Sequence, residues 1–208
     1  MNNTPLAKAV LCAALIGSLS GCFPLVVGSV AMGAVATADR RTLGAQTEDK
    51  SITVKAEMRL ANLGGDNGHI NIASFNRKVL LTGEVPDQAT KAAAEREVRA
   101  IEGVQTIANE LEIAGPASYT SRSSDALVTT KVKASLVEMK TISAASFKVV
   151  TENGTVYLMG RVTQREGDVA TDVTKSVAGV QKVVKLFEYI TEEELRAITP
   201  KSLQSTQL

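Results

Sequence analysis

Hydrophobic positions change period in a fixed order along this chain, and the order occurs twice. From Asp49 to about Leu63 the apolar residues Ile52, Ala56 and Leu60 recur at the spacing of one helix face. From Asp125 to Met139, Val128, Val132, Leu136 and Met139 do the same, with Ser135 on their stripe. Alternation then takes over. Phe147, Val149 and Thr151 lead into Glu152-Asn153-Gly154-Thr155, whose Asn-Gly pair is a strong two-residue hairpin signal, and Val156 to Gly160 returns. In the first half, Ile70 to Phe75 and Val79 to Leu81 flank Asn76-Arg77 in the same way. A second helix is predicted to start at Asp87, or at the capping box Thr163-Gln164-Arg165-Glu166. It carries Ala94, Val98 and Ile101, or Val169, Val173 and Val177, and stops at Gly103 or Gly179. A last strand covers 104–113 or 180–190. Each unit therefore reads helix, strand, strand, helix, strand: an α+β fold with two helices packed on one face of a three-stranded mixed sheet.

The two units align residue by residue. Asp49, Ile52, Lys55, Ala56 and Leu60 match Asp125, Val128, Lys131, Val132 and Leu136 at an offset of 76, and Gly103-Val104 match Gly179-Val180 at the same offset. Residues 79–85 match 156–162 at 77. Tandem domains are expected at 49–113 and 124–190, joined by a linker at 114–123 that holds Ser, Gly and Pro. Residues 191–208 form a C-terminal tail whose Thr191-Glu192-Glu193-Glu194 suits a helix cap.

Ahead of the domains, Met1 to Lys8 is a short positive start and Ala9 to Leu19 a run of small and apolar residues, as in a secretory signal peptide. Leu19-Ser20-Gly21-Cys22 has the form of a bacterial lipobox. Residues 1–21 are then removed, Cys22 carries the acyl chains, and 22–48 is a lipidated N-terminus and tether. A retained membrane helix and a cleaved soluble form are the alternatives; Pro24, the glycines and Cys22 at the hinge weigh against a span of about 20 apolar residues. Cleavage leaves 22 basic and 22 acidic side chains and one cysteine, so neither an internal disulfide nor a Cys-x-x-Cys metal site is available. The composition adds exclusions. With 3% aromatic residues and no Trp the chain is poorly supplied for stacking on nucleic acid, and its neutral balance sets up no field that selects polyanions.

The pattern Asp-x-x-Ile/Val-x-x-Lys in the first helix, a strand ending in Leu-x-Gly-x-Val, and Gly-Val before the last strand resembles the BON domain, present twice. Two such units behind a lipobox and an Asp39-Arg40-Arg41-Thr42-Leu43-Gly44 segment are similar to the dual-BON outer-membrane lipoproteins of Gram-negative bacteria. The resemblance covers about residues 19–190. It implies a non-enzymatic protein on the periplasmic face of the outer membrane, which supports envelope integrity, is associated with division and envelope stress, and binds anionic phospholipid such as phosphatidylglycerol. Phe23 after the lipidated Cys fits the outer-membrane sorting of that family. An envelope-assembly protein is the alternative partner, docked through the first domain.

Reactive constellations are scarce. His69 is the single histidine, it follows a Gly-rich turn cluster at 64–68, and no Gly-x-Ser-x-Gly elbow accompanies it. Asp66-Asn67 offers oxygens to calcium but lacks the spaced ligands and closing Glu of an EF-hand. No catalytic residue, metal or cofactor is assigned. Gly83 and Gly160 end matching strands and read as structural glycines at a close backbone approach.

The two first helices act as internal controls for each other. Opposite the core stripe of the second copy lie Leu127, Thr130, Lys131, Lys133, Ala134 and Val137, apolar and basic together, with Glu138 at the margin. Their equivalents in the first copy are Ser51, Val54, Lys55, Glu57, Met58 and Ala61, where Ser replaces Leu127 and an acid replaces Lys133. Residues 124–190 carry nine basic and seven acidic side chains, whereas 49–113 carry eight and ten. From the residues alone the second arc has three destinations: lipid, the other copy, or solvent. The family resemblance favours lipid, with those six residues as the contact.

Replacing Cys22 by Ala should leave an uncleaved or unanchored protein that takes up no fatty acid on metabolic labelling. Label persisting in Cys22→Ala would overturn the acylation assignment.

Overall fold

A computed structural model describes residues 39–63, 65, 68–115 and 118–199. Thr42 caps α1 (Leu43–Leu60), its hydroxyl accepting from the Ala45 amide at 3.1 Å. A hairpin follows, β1 (His69–Phe75) and β2 (Lys78–Val85), then α2 (Gln88–Arg99), capped by Asp87, and the short strands β3 (Thr106–Asn109) and β4 (Glu112–Ile113). The second copy repeats the order as α3 (Tyr119–Glu138), β5 (Phe147–Glu152), β6 (Thr155–Val162), α4 (Gln164–Lys175) and β7 (Lys182–Tyr189). A one-turn 3₁₀ helix, Ala144–Ser146, leads into β5, and α5 (Glu192–Ile198) closes the described chain behind a Thr191/Glu194 capping box. In each domain the hairpin is antiparallel and the last strand lies parallel to the second, giving mixed sheets in the order β1-β2-β3/β4 and β5-β6-β7.

Three boundaries differ from the sequence reading. The first helix begins at Leu43, inside the segment read as tether, because Thr42 supplies an N-cap there. The helix of the second copy begins at Tyr119, inside the segment read as linker, because Ser118 caps it by accepting from the Ser121 amide at 3.1 Å. The last strand of the first copy is interrupted at Glu110-Leu111, where Leu111 turns into the core and its carbonyl accepts from Lys91 Nζ at 2.6 Å.

One buried carboxylate per domain ties the first helix to the hairpin. Asn76 and Arg77 both have positive φ, 48° and 65°, as do Asn153 and Gly154, 47° and 71°, the signature of a type I′ turn. Such a turn points two amides away from the sheet. Asp49 accepts both, from Asn76 at 2.7 Å and Arg77 at 2.8 Å, and Asp125 accepts from Asn153 and Gly154 at 2.9 Å each. The aspartate that opens each sequence repeat is thus a turn clamp.

Each sheet is covered on both faces. Val79, Leu81 and Val85 face α1 and α2 with Ile52, Ala56, Leu60, Ala94, Val98 and Ile101; Val156, Leu158 and Val162 face α3 and α4 with Val128, Val132, Leu136 and Ala170. The alternate positions point the other way. Ala73, Phe75 and Leu80 of the first sheet pack directly on Tyr157 and Met159 of the second, with Ala108, Val150, Val184 and Leu186 around them. The result is four layers: helices, sheet, sheet, helices. Polar contacts rim this apolar seam and run in reciprocal pairs. Asn76 Nδ2 donates to Glu188 at 2.5 Å and Asn153 Nδ2 to Glu84 at 2.8 Å; Asn71 Nδ2 donates to Glu152 at 2.6 Å and Lys148 Nζ to the Ser74 carbonyl at 3.1 Å. Each clamped turn therefore reaches into the other domain.

The matching glycines sit at edges of this packing. Gly83 pairs with Ile70 at φ 105°, and a Cβ there would stand 2.0 Å from the His69 carbonyl oxygen. At Gly160, opposite Phe147, a Cβ would stand 2.7 Å from the Ser146 carbonyl oxygen. Backbone atoms cannot retreat as a side-chain tip can, so both positions leave no room for a larger residue.

Asp125→Ala removes the acceptor for two turn amides at once, and an unsatisfied buried group costs about 1–3 kcal/mol. We expect a loss of roughly 2–4 kcal/mol in chemical denaturation. A loss below about 1 kcal/mol would show that water replaces the carboxylate and that the clamp is dispensable.

Candidate functional site: the outward face of the second domain

Helix α3 spans 20 residues and separates cleanly into two sides. Val128, Val132 and Leu136 are buried, and Met139 packs against them. All six residues of the opposite arc, Leu127, Thr130, Lys131, Lys133, Ala134 and Val137, are exposed. Leu127 and Val137 are large apolar side chains 63% and 71% exposed. At 100° per residue Leu127, Ala134, Thr130 and Val137 form a stripe, and Lys131 and Lys133 border it on opposite sides. The stripe runs about 15 Å along the axis. Long basic side chains at the borders can lay their methylenes beside apolar matter while the ammonium stays in water.

All six arc residues stand exposed, and the apolar packing between the domains comes from their sheets instead. Of the three destinations left open by the residues, packing on the other copy is thereby removed. Helix α1 also carries apolar side chains on its outward side. Val54 and Met58, 53% and 75% exposed, give the first domain an outward apolar pair of its own. Apolar exposure therefore does not separate the two helices. Charge does: Lys133 borders the stripe of α3 where Glu57 borders that of α1, and both are exposed.

A second group of side chains, unassigned in the sequence reading, gathers where the described chain begins. Arg40 makes a forked pair with Glu166, 2.6 and 2.7 Å, and donates to the Arg161 carbonyl at 3.1 Å. Arg41 pairs with Asp39 at 2.6 Å and Asp49 at 2.8 Å, and stacks 4.2 Å over the Phe75 ring. Burial by itself would raise the pKa of Asp49. Hydrogen bonds from the Ser74 hydroxyl, the Arg77 amide, Arg41 and the Asn76 amide outweigh burial and hold the carboxyl below the usual carboxylate range. Glu166 follows the same logic: burial raises it, but Arg40, the Thr163 amide and the nearby Arg165 charge lower it further. At the seam, burial pushes Lys148 down, and the charges of Arg41 and Lys133 push the same way against Asp49. Tyr157 is pushed up to about 12 by burial and by Glu110, Glu112 and Glu152, so its hydroxyl stays neutral.

His69 opens β1 opposite Glu84. Among the described residues no three His, Cys, Asp or Glu side chains gather as metal ligands, and no helix is long and apolar enough to cross a membrane. The Asp66-Asn67 pair, the signal segment and Cys22 lie outside the described residues.

The repeated helix-strand-strand-helix-strand unit, with its clamped hairpin, coincides with the family model described as BON domain at residues 48–115 and again at 124–191. The chain belongs to the BON-domain family, with two copies. It is 36% identical over 194 residues to outer membrane lipoprotein DolP of Haemophilus influenzae, covering 91% of this chain and all of that one. It is 31% identical to the 21 kDa hemolysin of Actinobacillus pleuropneumoniae over 154 residues, 73% of this chain and 79% of that one. Against osmotically-inducible protein Y of Escherichia coli the identity is 29% over 140 residues, 65% and 70% of the two chains. The likeness to DolP along nearly the whole dual-BON chain supports an envelope-associated lipoprotein.

The depressed carboxyls set a pH dependence. A group whose folded pKa lies below its unfolded value, near 4 for Asp and Glu, stabilises the fold above that unfolded value and ceases to as pH falls through the folded pKa. Melting temperature should hold from pH 7 to about 5 and fall steeply below about 4. Asp49→Asn should flatten that fall while lowering stability at neutral pH. An unchanged acid limb in Asp49→Asn would remove the Asp49 carboxyl as a source of the dependence.

Proposed function

We propose that this protein works without covalent chemistry, on the periplasmic face of the outer membrane, by holding anionic phospholipid against α3 of its second domain. The observation that carries the reading is the exposure of Leu127 and Val137 on one stripe bordered by Lys131 and Lys133, on a helix whose other side is core. Apolar stripe and basic borders together suit an interfacial helix. Each lysine near an anionic surface contributes about 1 kcal/mol, and the attraction fades over a Debye length of about 10 Å. Leu127 fully buried among acyl chains adds roughly 1.5–3 kcal/mol. With Cys22 acylated, the protein is already at the membrane, and the helix selects which lipid it sits on. Envelope integrity is the role this supports.

The exposed Val54 and Met58 favour a second reading, in which the acidic first domain docks an envelope-assembly protein through α1. The lipid reading makes a sharper demand. In the non-acylated mature chain, Leu127→Glu should weaken binding to phosphatidylglycerol vesicles at least tenfold, about 1.4 kcal/mol, with little change in melting temperature. Ser51→Glu, at the matching place on α1, should leave binding nearly intact. Salt should weaken the native protein only in part, because screening acts on the lysines and not on the buried leucine. Equal losses in both variants, or binding abolished by salt alone, would sink α3 as the lipid reader. Intact vesicle binding in Leu127→Glu would favour docking through α1.

A further inference from the structure

The segment entering the first domain is bound to the second. Residues 39–42 run directly into α1, so the covalent path from Cys22 arrives at the first domain. The side chains go elsewhere. Arg41 stays with the first domain, on Asp49 and Phe75, whereas Arg40, one residue earlier, forks onto Glu166 at the N-terminus of α4 and onto the Arg161 carbonyl near the end of β6. Helix α4 packs beside α3 in the outer layer of the second domain. The side chains of Arg40 and Glu166 are 10% and 3% exposed, so salt screens the pair weakly. Glu166 is also fixed from behind by accepting from the Thr163 amide at 3.1 Å. A planar guanidinium on a prepositioned carboxylate is a directional contact that a lysine could not reproduce.

We propose that Asp39-Arg40-Arg41 is a clasp that carries the lipid attachment from the first domain, to which it is covalently joined, across the seam to the helical layer of the second domain, so that α3 is turned toward the membrane. Arg40 is a positioning residue here; it does not touch lipid. The proposal rests on the reading of α3 as the lipid-contacting face. Without the clasp the same acyl anchor would lead from the first domain, whose helices occupy the opposite outer layer.

The clasp contains its own reporter, because trypsin cuts after arginine and needs several residues around the bond drawn out of the fold. Cleavage then follows the population of the locally opened strap. The acylated full chain is placed in phosphatidylglycerol-containing vesicles with Ser124→Cys, an exposed position beside the arc, carrying an environment-sensitive dye. Cleavage at Arg40 and Arg41 is followed by mass spectrometry, and dye quenching by brominated lipid is read before protease is added. Glu166→Gln keeps a side-chain oxygen for the Thr163 amide and removes the charge. It should speed cleavage at least tenfold and reduce quenching at least twofold, with the second domain still folded by circular dichroism. Arg40→Gln, which leaves the α4 cap untouched, should speed cleavage at Arg41 and reduce quenching in the same way. Unchanged cleavage in both variants overturns the clasp. Faster cleavage with unchanged quenching overturns its role in turning α3. If the dye is unquenched in the native protein, the lipid reading of α3 fails and the orienting role fails with it, while the cleavage arm still decides whether the clasp exists.

Discussion

A helix carboxylate that accepts both amides of a left-handed hairpin turn organises everything else in this molecule. Asp49 and Asp125 each tie a first helix to its hairpin turn, and the strand alternation then sends every second side chain of the hairpin toward that helix. Asn76-Arg77 and Asn153-Gly154 take positive φ, and in that turn both of their amides are directed at the same carboxylate. With the turn amides held from behind, the Asn side chains are free to point forward, and both cross the seam to a glutamate of the other domain. Turn geometry, domain packing and domain pairing are thus one linked set of contacts.

The seam between the sheets makes two small domains into one body. A lone unit would present Phe75 and Leu80, or Tyr157 and Met159, to water on the uncovered side of its sheet. Burying such faces against each other is the driving force for the pairing, and the reciprocal polar contacts at the rim set its register. Sequence drift between the copies is visible in that rim, where Lys148 stands at the place of Asn71 and Glu84 at the place of Arg161. Asn71 and Lys148 both still donate across the seam, to Glu152 and to the Ser74 carbonyl, whereas Asn76 reaches Glu188 and not Arg161, which stands at the place matching Glu84.

Much of the fold was legible because periodicity reports burial directly. The helix faces, the Asn-Gly hairpin, the Thr163 capping box and the strand order all follow from residues that act on near neighbours. The helix starts were less legible, since Thr42 and Ser118 resemble ordinary polar residues until a helix is known to follow them. The pairing of the sheets left a signal that alternation alone does not explain. Residues 79–81 and 156–159 are apolar without interruption, which a strand facing water on one side would not tolerate. The outward arc of α3 was readable because it is the complement of the core stripe. Arg40 and Glu166 were not, because a contact between residues 126 positions apart leaves no periodic trace.

Layer order has a consequence for recognition. Both sheets are enclosed, so a partner meets helices and strand edges, and the two helical layers look in opposite directions. A planar surface can lie against only one of them. Whichever layer it covers, the other is presented about three layers away, roughly 30 Å with neighbouring layers about 10 Å apart. The molecule is therefore a two-sided spacer, and Leu127 and Met58 belong to faces that a single flat ligand cannot engage together.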